Sequence, residues 1–212
     1  MSDKNKNQTK FNSRLALAFC VVLMVGFAVM QAMEIKSATD QINLTVDVGD
    51  TITLDCGTSP VDLDSGSSLT PGTPVSNSTT CTVTTNSANG YELGVKRDDA
   101  DTTMDHDVDG TNITDKTAWD PTANTDAGNA VAYSGTGLGF SVYSSTANKN
   151  TTWWGTGTAC HDADNDYAGF PTSNTKIMDY GSYSSSSTDS SICYRLDVPS
   201  TQKSGSYSGY IT

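Results

Sequence analysis

Positive charge is scarce in this chain. From Met33 onward it carries 8 Lys and Arg residues against 23 Asp and Glu residues. So acidic a surface repels phosphate groups and anionic lipid headgroups, which argues against binding to nucleic acid or to a membrane surface. The same charge suits solubility outside the cell or association with cations.

The motifs of common active sites are missing as well. The sequence has no Gly-x-Ser-x-Gly segment, no glycine-rich phosphate loop and no Cys-x-x-Cys pair. Its two histidines, His106 and His161, stand beside carboxylates in acidic segments, where a histidine is usually hydrated. The sequence therefore favours a protein that is not an enzyme, and a secreted enzyme of unknown class is the last alternative.

An amphipathic helix pattern is absent after the first 38 residues. Four cations precede an apolar run from Leu15 to Met30, which predicts a signal peptide or an N-terminal membrane anchor over 1–38. Cleavage stays open because Met30 and Lys36 occupy the places where a small residue is expected before Ala32 and Ala38. In either case the charge bias sends residues 39–212 out of the cytoplasm, and the membrane is contacted only through an uncleaved segment.

Four cysteines remain beyond Cys20, which lies within the apolar run. An even number of widely spaced cysteines in an exported chain predicts two disulfides. Three pairings exist, and sequential pairing is favoured because each bond then closes a loop within one half of the domain. The paired residues would be Cys56 with Cys81 and Cys160 with Cys193.

Period-two alternation is the main structural signal. Residues 81–85 and 91–95 alternate apolar and polar side chains around Asn89-Gly90, which predicts a β-hairpin. A loop of three or five residues, with Gly90 at positive φ, would place the apolar side chains of both arms on one face.

Similar patterns extend along the chain. Segments predicted as strands are 40–48, 52–54, 130–143, 151–155, 192–198 and 206–212, whereas 57–74, 97–126 and 156–191 are predicted as loops or excursions. We expect an all-β domain, an antiparallel β-sandwich of the immunoglobulin-like or jelly-roll-like kind with long loops, preceded by a hydrophobic signal or anchor helix. The last strand stops at Thr212, so either it lies on a sheet edge or the sequence is truncated.

One acidic segment suggests a metal. Asp105, Asp107 and Asp109 alternate before Gly110, and such carboxylates suit Ca²⁺. The match to a helix-loop-helix site is partial because Lys116 stands where a bidentate Glu is required. A solvated acidic loop is the alternative, and calcium is the one cofactor considered. Asp162 to Asp166 repeats the alternation without the glycine.

Trp153 and Trp154 are the candidate ligand or interface residues. Exposed aromatic rings can stack on a glycan or anchor a protein interface, and core packing is the alternative. Strand alternation would point the two rings to opposite faces, so we expect one ring inside and the other more exposed.

A resemblance adds to these patterns. The hairpin region, Tyr167 to Pro171, Cys193 to Pro199 and the ending Ser204 to Thr212 together resemble small secreted surface proteins of bacteria. The ending is also similar to the final strand of WxL-type, spore-coat and pilin-like domains, although no Trp-x-Leu motif is present. The resemblance implies a β-sandwich at the bacterial cell surface and brings no active site.

We therefore expect a structural or adhesive cell-surface or envelope protein, such as a pilin-like or coat-like subunit, whose partners are itself or other envelope components. The alternative is an extracellular module that binds a glycan or depends on Ca²⁺.

Overall fold

A computed structural model describes residues 45–57, 60–98, 100–108, 110–146 and 149–212. The predicted signal or anchor segment, residues 40–44 of the first predicted strand, and the candidate ligand Asp109 lie outside these ranges. The chain divides into two compact units, Met1–Asp47 and Val48–Thr212. All the strands among the described residues lie in the second unit.

Antiparallel strands dominate the described residues. In chain order they are β1 (Ile52–Asp55), β2 (Val75–Thr85), β3 (Tyr91–Val95), β4 (Thr103–His106), β5 (Ile113–Thr114), β6 (Val131–Ala132), β7 (Gly137–Ser145), β8 (Asp166–Tyr167), β9 (Thr175–Tyr180), β10 (Ser184–Asp197) and β11 (Tyr207–Ser208). The described residues also contain two four-residue helical segments, α1 (Ala123–Asp126) and α2 (Thr151–Trp154). The all-β prediction is confirmed.

The largest sheet has four strands in the order β1-β2-β10-β7. Its long central strands, β2 and β10, pair over most of their length. The Cys56–Cys81 disulfide ties the end of β1 to β2, and the Cys160–Cys193 disulfide ties the loop before β8 to β10. The predicted sequential pairing is therefore confirmed, and each bond crosslinks this sheet to a segment beside it.

The predicted hairpin at 81–95 is wrong in its pairing. Both arms are strands and the connection is five residues long with Gly90 at φ 73°, as expected. However, β3 pairs with β9 and not with β2. The chain therefore arches from the four-stranded sheet into a separate two-stranded sheet. The alternation arises because each arm buries one face, and that condition is also met by strands in different sheets.

One apolar core joins the two sheets. Side chains from β2, β3, β7, β9 and β10 belong to the same buried cluster. Contacts reach across it: Ser190 Oγ on β10 lies 2.9 Å from Met178 Sδ on β9, and Tyr91 Oη on β3 lies 2.5 Å from Thr188 Oγ1 on β10. Trp154 is completely buried and donates from Nε1 to the Ile177 carbonyl at 2.9 Å.

The segment 97–126, predicted as a loop, contributes β4 and β5 to a small sheet of order β11-β4-β5. It is held by a buried ion pair in which Arg97 Nε and Nη2 donate to Asp115 Oδ2 and Oδ1 at 2.9 and 2.5 Å. The Arg97 guanidinium also lies 5.1 Å from the centre of the Phe170 ring. The acidic composition of the segment gave no sign of this order, because Asp115 is the only buried carboxylate among the residues of 97–126 that the structure describes.

The segment 156–191, predicted as an excursion, supplies two strands of the core. Ile177 and Met178 on β9 are each 1% exposed, and the serine-rich stretch from Ser184 forms the first part of β10. Residues 151–154, predicted as a short strand, form the α2 turn. The Asn150 side chain caps this turn by accepting hydrogen bonds from the backbone N–H groups of Thr152 and Trp153.

Candidate functional site

The acidic segment proposed for calcium is tied into β4. Asp105 Oδ1 accepts hydrogen bonds from Asn112 Nδ2 at 2.7 Å and from Thr103 Oγ1 at 3.0 Å. Asp107 is half exposed and lies 3.7 Å from His106 Nδ1. Among the described residues, which omit Asp109, no group of three or more His, Cys, Asp or Glu side chains is placed to hold a metal ion.

The second acidic segment forms a backbone turn. Asp162 Oδ2 accepts from the N–H groups of Thr158 and Ala159 at 2.7 and 2.9 Å. These bonds, first that from Ala159, hold the pKa of Asp162 below its ordinary value. The carboxylate therefore organises its own loop.

The two tryptophans occupy different environments, as expected, although a helical turn and not a strand separates them. Trp154 has no exposed surface, so core packing describes it. Trp153 is partly exposed, donates from Nε1 to the Asp126 carbonyl at 3.0 Å, and meets Trp119 edge to face at 5.4 Å. Of the pair, Trp153 alone has exposed surface, and Lys176 Nζ lies over its ring at 6.0 Å from the centre.

Two cations, Lys116 and Arg195, lie beside the Tyr133 ring. Lys116 Nζ donates to three carbonyl oxygens of residues 134–136 and lies 4.4 Å from the centre of the Tyr133 ring. Arg195 lies 4.8 Å from the same ring. Burial lowers the pKa of Lys116 and raises that of Tyr133 to about 12. Since the three ammonium donors are all used, this cluster fixes a loop.

The feature that sequence reasoning missed is an exposed apolar row that leads into the edge strand β1. It consists of Val48, Ile52 and Leu54, whose exposed fractions are 76%, 59% and 57%. β1 carries no Lys or Pro, the residues that usually protect a sheet edge from pairing with another chain. The alternation is visible in the sequence, where it predicts burial within one chain, whereas these side chains are exposed.

The last residues of the sequence also lie at an edge. β11 is the outer strand of its sheet and pairs with β4. Beyond it, Thr212 and Lys96 exchange two backbone hydrogen bonds of 2.8 and 3.0 Å, and Asp98 N–H donates to the Tyr210 carbonyl at 3.1 Å. The ending is thus paired with the residues that follow β3.

No helix among the described residues is long and apolar enough to cross a membrane. Comparison of the chain with protein-family models, with curated proteins and with solved structures finds no match.

Proposed function

We propose that this protein is a non-enzymatic structural or adhesive subunit that acts outside the cytoplasm, at a cell surface or in an envelope. The observation that carries the proposal is the exposed apolar row at β1, which is the outer strand of the four-stranded sheet in the part of the chain that the structure describes. An unprotected edge strand presents unpaired backbone groups beside apolar side chains, and both favour association with another polypeptide.

The two disulfides support a location outside the cytoplasm. Crosslinks of this kind form and persist in oxidising surroundings, and both stabilise the sheet that carries the exposed row. The acidic exterior keeps the individual subunit soluble before it associates. The N-terminal basic and apolar segment would direct or anchor the chain at the membrane that it leaves.

Binding to cells tests this function directly. The purified, disulfide-intact protein would be labelled and incubated with whole cells and envelope fractions of the strain that produces it, and assemblies would be imaged by electron microscopy. We expect saturable retention or ordered multimers. A strictly monomeric protein that is retained by neither cells nor envelope fractions would refute the proposal.

A matched pair of variants assigns the binding surface. Leu54→Asn removes an apolar side chain from the exposed row, whereas Val131→Asn removes one that is 63% exposed on β6. Retention should fall with the first substitution and persist with the second. Equal losses from both would show general hydrophobic adhesion and would contradict a specific surface.

A further inference from the structure

A lysine and an asparagine meet in the loop that contains the α2 turn. Lys149 Nζ lies 3.3 Å from the side-chain oxygen of Asn165, and it also donates to the Gly157 carbonyl at 2.7 Å. Asn165 is 1% exposed, and Lys149 is partly buried. An amine and a primary amide are therefore held in contact where the amide is closed to solvent.

The Asn165 amide is fixed in one orientation. Its Nδ2 donates to the Ala159 carbonyl at 2.7 Å and to the Cys160 carbonyl at 3.4 Å, which leaves Oδ1 for the lysine. The backbone is fixed as well, by a β-bridge to Gly155 and by a hydrogen bond of 3.3 Å from the Asn165 N–H to the Asp162 carbonyl. Two groups held in this way have little freedom left to lose when they react, and that loss is a large part of the barrier between free reactants.

Gly157 brings the two side chains together. A Cβ at this position would lie 2.5 Å from Asn165 Oδ1 and 2.8 Å from Asn165 Cγ. The Gly157 carbonyl accepts a hydrogen bond from Lys149 Nζ, so the same residue lies against both groups. A larger residue here would push the amide away, and the contact between amine and amide therefore depends on this glycine.

A carboxylate acts on the same pair. Asp166 follows Asn165 in the chain and is the charged group with the strongest effect on Lys149. Burial lowers the pKa of Lys149 and raises the pKa of Asp166. Both shifts favour passage of a proton from the ammonium to the carboxylate. The neutral amine that remains is the nucleophilic form of lysine.

We propose that Lys149 and Asn165 become joined by an isopeptide bond within the folded chain. A bond forms between Lys149 Nζ and Asn165 Cγ while the bond between Cγ and Nδ2 breaks. Nζ gives up two of its three protons, and Asp166 passes them to the leaving nitrogen. Ammonium is released, the carboxylate ends unchanged, and no oxidant or second substrate is consumed.

The bond would close residues 149–165 into a covalent loop around α2 and its buried Trp154. The Cys160–Cys193 disulfide ties the same loop to β10. A reducing agent breaks a disulfide but leaves an amide intact, so the loop would stay closed when the disulfide is lost. Such a crosslink goes beyond the proposed function and does not depend on it.

Mass spectrometry of the folded, full-length protein tests the bond. Chymotrypsin cuts after aromatic residues, so cleavage at Trp153 and Trp154 separates Lys149 from Asn165 along the chain. After reduction and alkylation we expect the two peptides to remain linked and to be lighter by one ammonia than their sum. Separate, unaltered peptides would overturn the proposal. A loss of ammonia without a link would also overturn it, because an asparagine that cyclises on its own backbone gives that result.

Conservative variants assign the roles. Lys149→Arg keeps the cation, but a guanidinium does not lose its proton in proteins, so the link should disappear. Lys116→Arg is the matched control, because Lys116 is also partly buried and also donates to backbone carbonyls, and the link should persist. A link that persists in Lys149→Arg, or disappears in a folded Lys116→Arg, would overturn the assignment.

The part played by Asp166 has its own readout. In a folded Asp166→Asn variant, the rate at which the linked peptides accumulate should fall by at least about tenfold, since proton transfer by a side chain contributes that much or more. Disulfide mapping confirms that the variant still pairs Cys160 with Cys193. A link that accumulates at the unaltered rate would overturn the proton transfer through Asp166.

Discussion

Removing one member of the buried ion pair tests the packing around the small sheet. Asp115→Asn keeps the size of the side chain but leaves the Arg97 guanidinium buried without a counter-charge. The two side chains are 2% and 0% exposed and share two hydrogen bonds, so water cannot replace the lost partner. Breaking a buried pair in this way costs about 3–5 kcal/mol.

The structure also defines how the loss should appear. For a domain of this size each 1 kcal/mol lowers the midpoint of thermal unfolding by roughly 2–4 °C, so a decrease on the order of 10 °C is expected. Calorimetry with both disulfides intact measures it, and added salt should change the difference little because the pair is shielded from solvent.

Two comparisons sharpen this prediction. Replacing both partners by apolar residues, Arg97→Met with Asp115→Leu, should cost less than the sum of the single changes, because no charge is then left buried. Lys176→Ala removes ion pairs to the more exposed Glu92 and Asp179 and should cost only about 0–1 kcal/mol. An Asp115→Asn variant as stable as the unaltered protein would refute the assignment of Arg97 to a buried pair.

Three further changes probe other parts of the fold. Gly90→Ala should lower the free energy of unfolding by at least about 2 kcal/mol, because φ is positive and a Cβ would overlap the Tyr180 carbonyl. Gly66→Ala is the control, since Gly66 also has a positive φ but lies in open space, and it should cost about 1 kcal/mol. Equal costs would contradict the close approach of Gly90 to Tyr180. Replacing Cys160 and Cys193 together by Ala should cost roughly 3–4 kcal/mol in denaturant unfolding, and an unchanged midpoint would contradict a closed crosslink. Burial raises the pKa of Tyr194 to about 12 from the ordinary 10.0, so its contribution to stability is complete below pH 10.0 and is lost as the pH rises towards about 12. Tyr194→Phe should reduce that loss, and an identical alkaline profile in both proteins would refute it.

The sequence predicted strands well wherever one face is buried and the pairing is regular. The alternation at 81–85 and 91–95 located β2 and β3, and Gly90 located the turn. The alternation does not show which sheet each strand joins. Two strands bury one face each whether they pair with each other in a hairpin or belong to different sheets joined by an arch. That choice depends on distant partners, here β9 and β10.

β9 escaped prediction for a local reason. Its register with β3 shifts between Leu93 and Gly94. Leu93 pairs with Met178 and Gly94 pairs with Lys176, so Ile177 is an extra residue on β9 between these two pairs. Consecutive apolar residues, Ile177 and Met178, are both buried, which breaks the period of two. The first half of β10 escaped because Ser184, Thr188 and Ser190 are buried polar residues without an apolar pattern.

The candidate site was visible only in part. Apolar residues alternate with polar ones from Ile42 to Leu54, and alternation by itself predicts burial within the chain. The exposure of Ile52 and Leu54 follows from the position of β1 outside β2, which composition and periodicity do not encode. The calcium hypothesis rests on the spacing of the carboxylates alone. In the structure, Asp105 Oδ1 accepts hydrogen bonds from Asn112 and Thr103, which carboxylate spacing does not predict.

Disulfide mapping of the native exported protein tests most directly whether this β-core forms outside the cytoplasm. Proteolysis without reduction, followed by mass spectrometry of the linked peptides, should join Cys56 to Cys81 and Cys160 to Cys193 in nearly every molecule. Four freely alkylated thiols would contradict the oxidising compartment, and peptides that join Cys81 to Cys193 would contradict the sheet arrangement.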